Sequence, residues 1–205
     1  MADKRIIANL IDVFGDKGKI SANKLTFITF LYDWAFALKY GRQALPIEWV
    51  TDGNTPSTDH LAKLTLSTDF RCFTKERLGT KVLTDVANLS NHIEPLQGDE
   101  LSVLNIIKEE YHNASYDELL VAVNITHPIF TMTEEASALI NMVEVALSTK
   151  EKLRDSMLLL VGEMPFGDAL RSVCDTTEWT TDIAFMQDYL IGLYDGYKLK
   201  QKLIN

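Results

Sequence analysis

The chain has 205 residues, of which 46% are hydrophobic, and its 29 acidic and 20 basic side chains give a formal net charge of −9. This length and composition can bury the core of one domain. The negative charge opposes contact with a phosphate backbone, so we expect no nucleic-acid partner. Two cysteines, Cys72 and Cys174, lie far apart, which argues against a disulfide framework and favours the reducing cytoplasm.

The N-terminal stretch has no secretory pattern. Lys4 and Arg5 are followed by apolar residues that Asn9 and Asp12 interrupt, so no signal-peptide core is predicted. No window of the sequence approaches the roughly 20 apolar residues that span a bilayer. We therefore expect neither export nor contact with a membrane.

The first part of the chain predicts two helices. Apolar residues recur at helical spacing from Ile6 to Phe14, before a glycine. A second and more apolar helix is predicted between Ser21, a good N-cap, and Gly41, which favours a left-handed helix end. Because apolar residues occupy most of its surface, we expect this second helix to lie at the centre of the core.

A short β region follows the second helix. Residues 45–50 alternate apolar and polar side chains, and Pro46 is tolerated only at a strand start or a sheet edge, which indicates an edge strand. The turn-forming residues at 51–57 predict a loop. A brief helix to Leu64 and two strands near 70–73 and 81–86 complete this region.

After Pro95 the sequence is predominantly helical, with helices predicted at 166–174 and 181–203 besides a stripe from Leu101 to Tyr111. Capping boxes, in which a hydroxyl and a carboxylate three residues later bind each other's backbone amides, predict further helix starts. They occur at Ser115 with Glu118, at Thr131 with Glu134 and at Ser148 with Glu151. The predicted fold class is therefore mostly α: a compact multi-helix bundle with a small β-hairpin or short sheet.

The sequence contains no recognisable catalytic, cofactor or metal motif. The four histidines lack metal-ligand spacing, and we interpret His127 as a helix-end residue bonded to backbone. The glycines form no phosphate-binding loop, and no Gly-x-Ser-x-Gly motif occurs. Acidic pairs such as Glu109-Glu110 are interpreted as solvated surface, which leaves open an enzyme whose acidic site is assembled only in space.

The last predicted helix has an aromatic face. Phe185, Tyr189, Leu193 and Tyr197 share this face, Tyr194 lies beside it, and Gly192 and Gly196 are four residues apart. Glycine costs a helix about 1 kcal/mol relative to alanine, so close approach of another backbone is a natural compensation. Two interpretations stay open: packing within the core, or a tyrosine-rich groove for a partner or a second copy of the chain.

One ordered set of residues is more specific than these patterns. It contains Lys24-Leu25, Leu31-Tyr32-x-Trp34, Gly41, Ile47-Glu48-Trp49, Gly53, Leu101-x-x-Leu104-x-x-Ile107, Ser115-x-x-Glu118-Leu119 and Thr126-His127-x-Ile129. Over about residues 19–130 this order resembles the Panacea domain, the SocA-like antitoxin family. Gly53-Asn54 stands where that family usually has Gly-Pro.

The resemblance implies a protein that binds and neutralises a co-encoded toxin, with some relatives suggested to act as adaptors for a protease. It divides the chain into a Panacea-like part, 1–130, and a helical C-terminal extension, 131–205, packed on it. A phage or mobile-element protein that sequesters a host defence component is an alternative. The predicted partner contacts are Asp52, Asn54, Pro56, Tyr189, Tyr194 and Tyr197.

Overall fold

The computed structural model describes residues 2–51, 55–65, 67–77, 81–90, 93–130, 138–161, 164–165, 167–169, 172 and 180–204. The helices are α1 (Ala2–Phe14), α2 (Ala22–Tyr40), α3 (Asp59–Thr65), α4 (Gly98–Tyr111), α5 (Tyr116–Asn124), α6 (His127–Phe130), α7 (Met142–Val161) and α8 (Thr180–Ile204). The strands are β1 (Lys19–Ser21), β2 (Trp49–Thr51), β3 (Pro56–Ser57), β4 (Phe70–Arg77), β5 (Lys81–Asn88) and β6 (Ala138–Ile140). The predicted helix-dominated α+β class is confirmed.

Helix α2 lies at the centre of the fold and contacts α1, α4, α5, α7 and α8. Its two ends are formed as the sequence predicts: the Ser21 hydroxyl accepts from the Lys24 amide at 3.2 Å, and Gly41 adopts a left-handed φ of 67°. Every residue from Phe27 to Leu38 is buried. A helix buried on all sides has no polar face, so any polar side chain within it needs a partner inside the protein.

Two small antiparallel sheets lie beside the helices, with strand orders β1-β5-β4 and β3-β2-β6. The predicted edge strand near Trp49 is therefore wrong in one respect, because β2 is the central strand of its sheet. Trp49 pairs with Ile140 on one side and Thr51 with Pro56 on the other. Pro46 precedes the strand, so its missing N–H interrupts no ladder.

The second half of the fold confirms one of the predicted capping boxes. Ser115 and Glu118 make both reciprocal bonds at the start of α5. Ser148 lies inside α7, so a helix start there is wrong; Asn141 caps this helix, with its Oδ1 accepting from the Glu144 amide at 3.3 Å. Asn is as good an N-cap as Ser. The predicted start at Thr131 and most of the predicted helix 166–174 lie outside the described residues.

The C-terminal helix is present as predicted, and α8 packs against α2 and α7. The part of the chain from 131 onward thus returns to the central helix of the first part. Among the described residues, no helix combines the length and the apolar character needed to cross a membrane.

Candidate protein-binding surface

A buried carboxylate on α2 organises the turn that leads into β2. Asp33 is fully buried, and its Oδ1 accepts the backbone N–H groups of Ala44 at 2.8 Å and Leu45 at 3.2 Å. Its Oδ2 accepts the Gln43 amide and the Trp49 indole N–H, each at 2.9 Å. Burial raises the pKa of Asp33, while these donors oppose that rise by stabilising the carboxylate. Asp33 therefore fixes the turn to the central helix.

A second buried carboxylate joins the C-terminal helix to the core. Asp182 on α8 is fully buried; its Oδ1 accepts the Trp34 indole N–H at 2.6 Å, and its Oδ2 accepts the His127 backbone N–H at 3.1 Å. Burial raises the pKa of Asp182 to about 7, against the two donors. This junction, Trp34 with His127 and Asp182, connects α2, α6 and α8.

The imidazole of His127 meets a lysine at the junction. Its Nε2 lies 3.3 Å from the Lys152 ammonium nitrogen on α7. Burial, and then the charge of Lys152, lower the pKa of His127 to about 4, so the ring is neutral at pH 7 and can accept from the ammonium. His127 does stand at a helix end as predicted, but its backbone N–H binds a carboxylate and its ring faces a side chain.

The sequence motifs did not predict either buried carboxylate, Asp33 or Asp182. The available signal was a single acid inside a strongly apolar helical run, at Asp33 within 25–38 and at Asp182 before Ile183. Such an acid can be buried only with donors supplied by other segments. Three of the donors, the Trp34 and Trp49 indoles and the His127 backbone N–H, belong to residues of the ordered set found in the sequence.

Potential metal ligands do not converge within the described ranges. There, no three His, Cys, Asp or Glu side chains are grouped so that they could hold a metal ion. The expectation of a metal-free protein stays a prediction.

The predicted loop contacts are only partly placed by the structure. Asp52 and Asn54 lie outside the described residues. Pro56 pairs with Thr51 in the β3-β2-β6 sheet, and its side chain is buried. Pro56 therefore packs within the fold and offers no contact on the outside.

The predicted aromatic contacts lie along α8. Tyr189 is half-buried with the Lys150 ammonium 4.6 Å from its ring centroid, and Tyr194 is half-buried against the core. Phe185 is fully covered. The side chain of Tyr197 lies outside the described part of α8. Packing within the core accounts for Phe185, whereas Tyr189 and Tyr194 keep an exposed portion.

The two glycines of α8 do not have the compensation that the sequence suggested. Both Gly192 and Gly196 are exposed, and a Cβ atom added at either position would meet no atom of the described residues within 4 Å. Close approach by the backbone of another described segment of this chain is therefore wrong as their explanation. The space above them is open to an external partner.

Exposed apolar side chains occur on the same two C-terminal helices. Leu147 on α7 is 54% exposed and Ile191 on α8 is 40% exposed. Leu158 follows Leu147 by three helical turns and shares its face, while Leu153 of α7 is turned into the core. The two helices pack against each other, and we call their exposed positions, Leu147 and Leu158 on α7 with Ile191, Gly192 and Gly196 on α8, the α7–α8 surface.

Comparison with known proteins gives no further identification: no protein-family model, curated protein or solved structure matches this chain. The function is therefore inferred from the residues and their geometry.

Proposed function

We propose that this chain is a non-enzymatic protein-binding module of the antitoxin type, which neutralises a protein toxin by direct contact in the cytoplasm. The α7–α8 surface is the observation that carries the proposal. Its leucine and isoleucine side chains are exposed, whereas buried residues on the opposite side of each helix complete the core. Exposed apolar positions next to small residues are typical of surfaces that another protein covers.

The attachment of α8 supports a binding role for this surface. Asp182 accepts from Trp34 and from His127, so the helix is fixed by hydrogen bonds in the most buried part of the fold. A second attachment comes from the Thr181 hydroxyl, which donates to the Ala122 carbonyl at 3.2 Å. A surface held by such contacts needs little ordering on binding, and that preserves affinity.

The use of the buried acids also favours binding over catalysis. Asp33 and Asp182 accept hydrogen bonds on both of their oxygens from donors of the chain itself. A general acid or base needs an oxygen within reach of a substrate. The two groups that an acid-based enzyme would use first are thus engaged in holding the fold. Delivery of the bound partner to a protease, or capture of a host defence protein by a phage protein, would use the same surface.

Neutralisation of a neighbouring toxin tests the proposal. The reading frame beside this one would be expressed alone and together with the full chain, and growth and co-purification would be measured. We expect growth arrest by the neighbour alone, and rescue with a stable complex when both are expressed. The double variant Leu147→Asp with Leu158→Asp should lose both rescue and complex, because two charges would be buried at the interface.

The matched control is Leu101→Asp, which changes an exposed leucine on α4, outside the α7–α8 surface. It should rescue as the wild type does. Rescue without a complex would contradict direct neutralisation, and equal loss in the control would show that charge on any exposed leucine is harmful.

A further inference from the structure

The β1-β5-β4 sheet has a long terminal strand. β4 pairs with β5 over its whole length, from Phe70 opposite Asn88 to Arg77 opposite Lys81. β1 covers only three residues on the other side of β5. Among the described strands β4 is terminal, so its outer side forms an edge longer than either edge of the second sheet, and at its start the Phe70 N–H donates to the Ser67 carbonyl at 3.1 Å.

The register shows which backbone groups this edge presents. The Asp69 carbonyl accepts from the Leu89 amide at 2.8 Å, one position before the Phe70–Asn88 pair. In an antiparallel ladder such bonded pairs alternate, so odd-numbered residues of β4 turn their N–H and C=O groups towards β5. The backbone groups of Thr74 and Glu76 are consequently directed away from β5, at the edge.

The same register gathers basic residues on one face of the sheet. Lys19 and Arg71 lie on either side of Ala87, both are exposed, and each places its charge 4.9 Å from the Phe73 ring centroid. By sequence, the paired strands β4 and β5 also contain three further basic residues, Lys75, Arg77 and Lys81, and two acids, Glu76 and Asp85. Lys19 and Arg71 are thus exposed cations on one face of this sheet, in a chain whose net charge is −9.

We propose that the β4 edge binds an extended acidic segment of a partner protein, which adds to the sheet as a further strand. The inference rests on the proposed function, because it describes how a protein partner is held. Side chains of a strand alternate between its two faces, so a carboxylate of the added strand opposite Arg71 would lie on the same face as the exposed guanidinium of Arg71. Backbone hydrogen bonds to Thr74 and Glu76 supply affinity, and the cations select the sign of charge.

Two other occupants fit this edge less well. A second copy of the sheet would oppose cations to cations, which is a common way for edge strands to avoid pairing with themselves. A nucleic acid would bring a long run of phosphates towards a chain that is otherwise strongly acidic. A short acidic strand brings only the few charges that the basic face can neutralise.

A peptide titration of the full chain tests the inference. The probe is a labelled peptide of about ten residues with alternating glutamate and threonine, and the matched control alternates glutamate and proline, with equal charge but half of its backbone donors removed. Fluorescence anisotropy would give the affinities, and amide shifts in nuclear magnetic resonance would locate the site. We expect the Glu–Thr peptide to bind at least about tenfold more tightly, with the largest shifts in β4.

Variants of the edge separate backbone pairing from charge. Thr74→Pro removes an outward N–H without removing a ladder bond to β5, and Thr74→Val keeps that N–H. Thr74→Pro and Lys75→Glu should each weaken the Glu–Thr peptide by about tenfold or more, while Thr74→Val should not. Thermal unfolding of each variant checks that the fold is kept. If Thr74→Pro unfolds, the inference is tested with Lys75→Glu alone.

Three results would overturn the inference: equal affinity for the two peptides, tighter binding of a single-stranded oligothymidylate than of the Glu–Thr peptide on the same face, or shifts confined to other elements. The titration needs no toxin, so its failure leaves the proposed function standing. Failure of growth rescue, in turn, concerns the proposed function and not the peptide affinity.

Discussion

The two buried carboxylates of this protein are held in different ways. Asp33 receives four donors, all from residues 43–49, which follow its own helix closely in the chain. Asp182 accepts from the Trp34 indole and from the His127 backbone N–H, which are distant from it in sequence. The first site closes a local turn, whereas the second joins three helices.

The difference has an electrostatic consequence. Burial raises the pKa of both acids, but the donors around Asp33 offer a charged carboxylate more compensation than the two around Asp182. With a pKa of about 7, Asp182 changes its protonation state near neutrality, at the place where α8 joins the core. Because the pKa of each acid is raised, we expect both sites to make the stability of the fold fall as pH rises, with the window near neutrality set by Asp182.

The largest effect on stability is expected at Trp34, whose indole donates to Asp182. Trp34→Ala should lower the free energy of unfolding by about 3–5 kcal/mol, since it removes a fully buried aromatic ring and one donor to Asp182. Chemical denaturation measures this. Trp34→Phe, which keeps most of the ring volume, should cost clearly less. If Trp34→Ala leaves stability unchanged while partner binding disappears, the residue is a contact and not part of the core.

Asp182 should contribute to the pH dependence of stability. The folded state keeps this proton up to about pH 7, whereas the unfolded chain loses it near 3.8. Its contribution is therefore complete below 3.8 and is lost as pH rises through 7. As pH rises through that window, the free energy of unfolding of Asp182→Asn should increase relative to that of wild type by about 1.4 kcal/mol per pH unit. Between about pH 4.5 and 6.5 this amounts to about 3 kcal/mol.

The pKa shift of His127 has the opposite effect on the pH dependence of stability, in the wild type and in Asp182→Asn alike. Its pKa is lowered to about 4, so its contribution is present above 6.5 and is lost as pH falls through 4. The His127 contribution is common to Asp182→Asn and wild type, so it cancels when their free energies of unfolding, measured by urea denaturation, are subtracted. Parallel pH profiles for the two proteins would show that Asp182 does not titrate in this range.

The local turn should respond to the loss of an acceptor at Asp33. Asp33→Asn replaces one accepting oxygen by an amide that cannot accept, which leaves donors such as the Trp49 indole unsatisfied. We expect a loss of about 2–3 kcal/mol at pH 7 by denaturation. A variant as stable as wild type would contradict the role of Asp33 as the acceptor that fixes the turn.

The smallest effect concerns the tyrosines of α8. Changing Tyr189 and Tyr197 together to Ala should weaken association by about 2 kcal/mol, roughly thirtyfold in dissociation constant, and keep most of the helical circular dichroism. Titration with the partner, or with the chain itself, measures the effect. A double variant that unfolds would assign the tyrosines to the core, and unchanged binding would place the interface elsewhere.

Local patterns were sufficient to predict most of the elements. Ser21 and Gly41 mark the ends of α2 by their own chemistry, and the Ser115 capping box does the same for α5. Ser148 carries the same pattern but continues a helix that Asn141 had already started. A capping motif shows that a residue is able to cap a helix, but the position at which α7 begins depends on how that helix packs.

The candidate sites were less predictable because they depend on contacts between distant segments. Nothing near Asp182 in sequence shows that Trp34 and His127 will meet it, and nothing near Gly192 shows that its surroundings will stay open. The position of β2 inside its sheet likewise depends on β6, some 90 residues later.

The central claim is that a protein partner covers the α7–α8 surface. Hydrogen exchange of the full chain, alone and with the neutralised toxin, tests it most directly. We expect new protection in 142–158 and 183–194, with little change in the Asp33 turn at 43–49, which is already held by internal bonds. Protection confined to α4 and α5, with α7 and α8 exchanging as in the free chain, would contradict the claim.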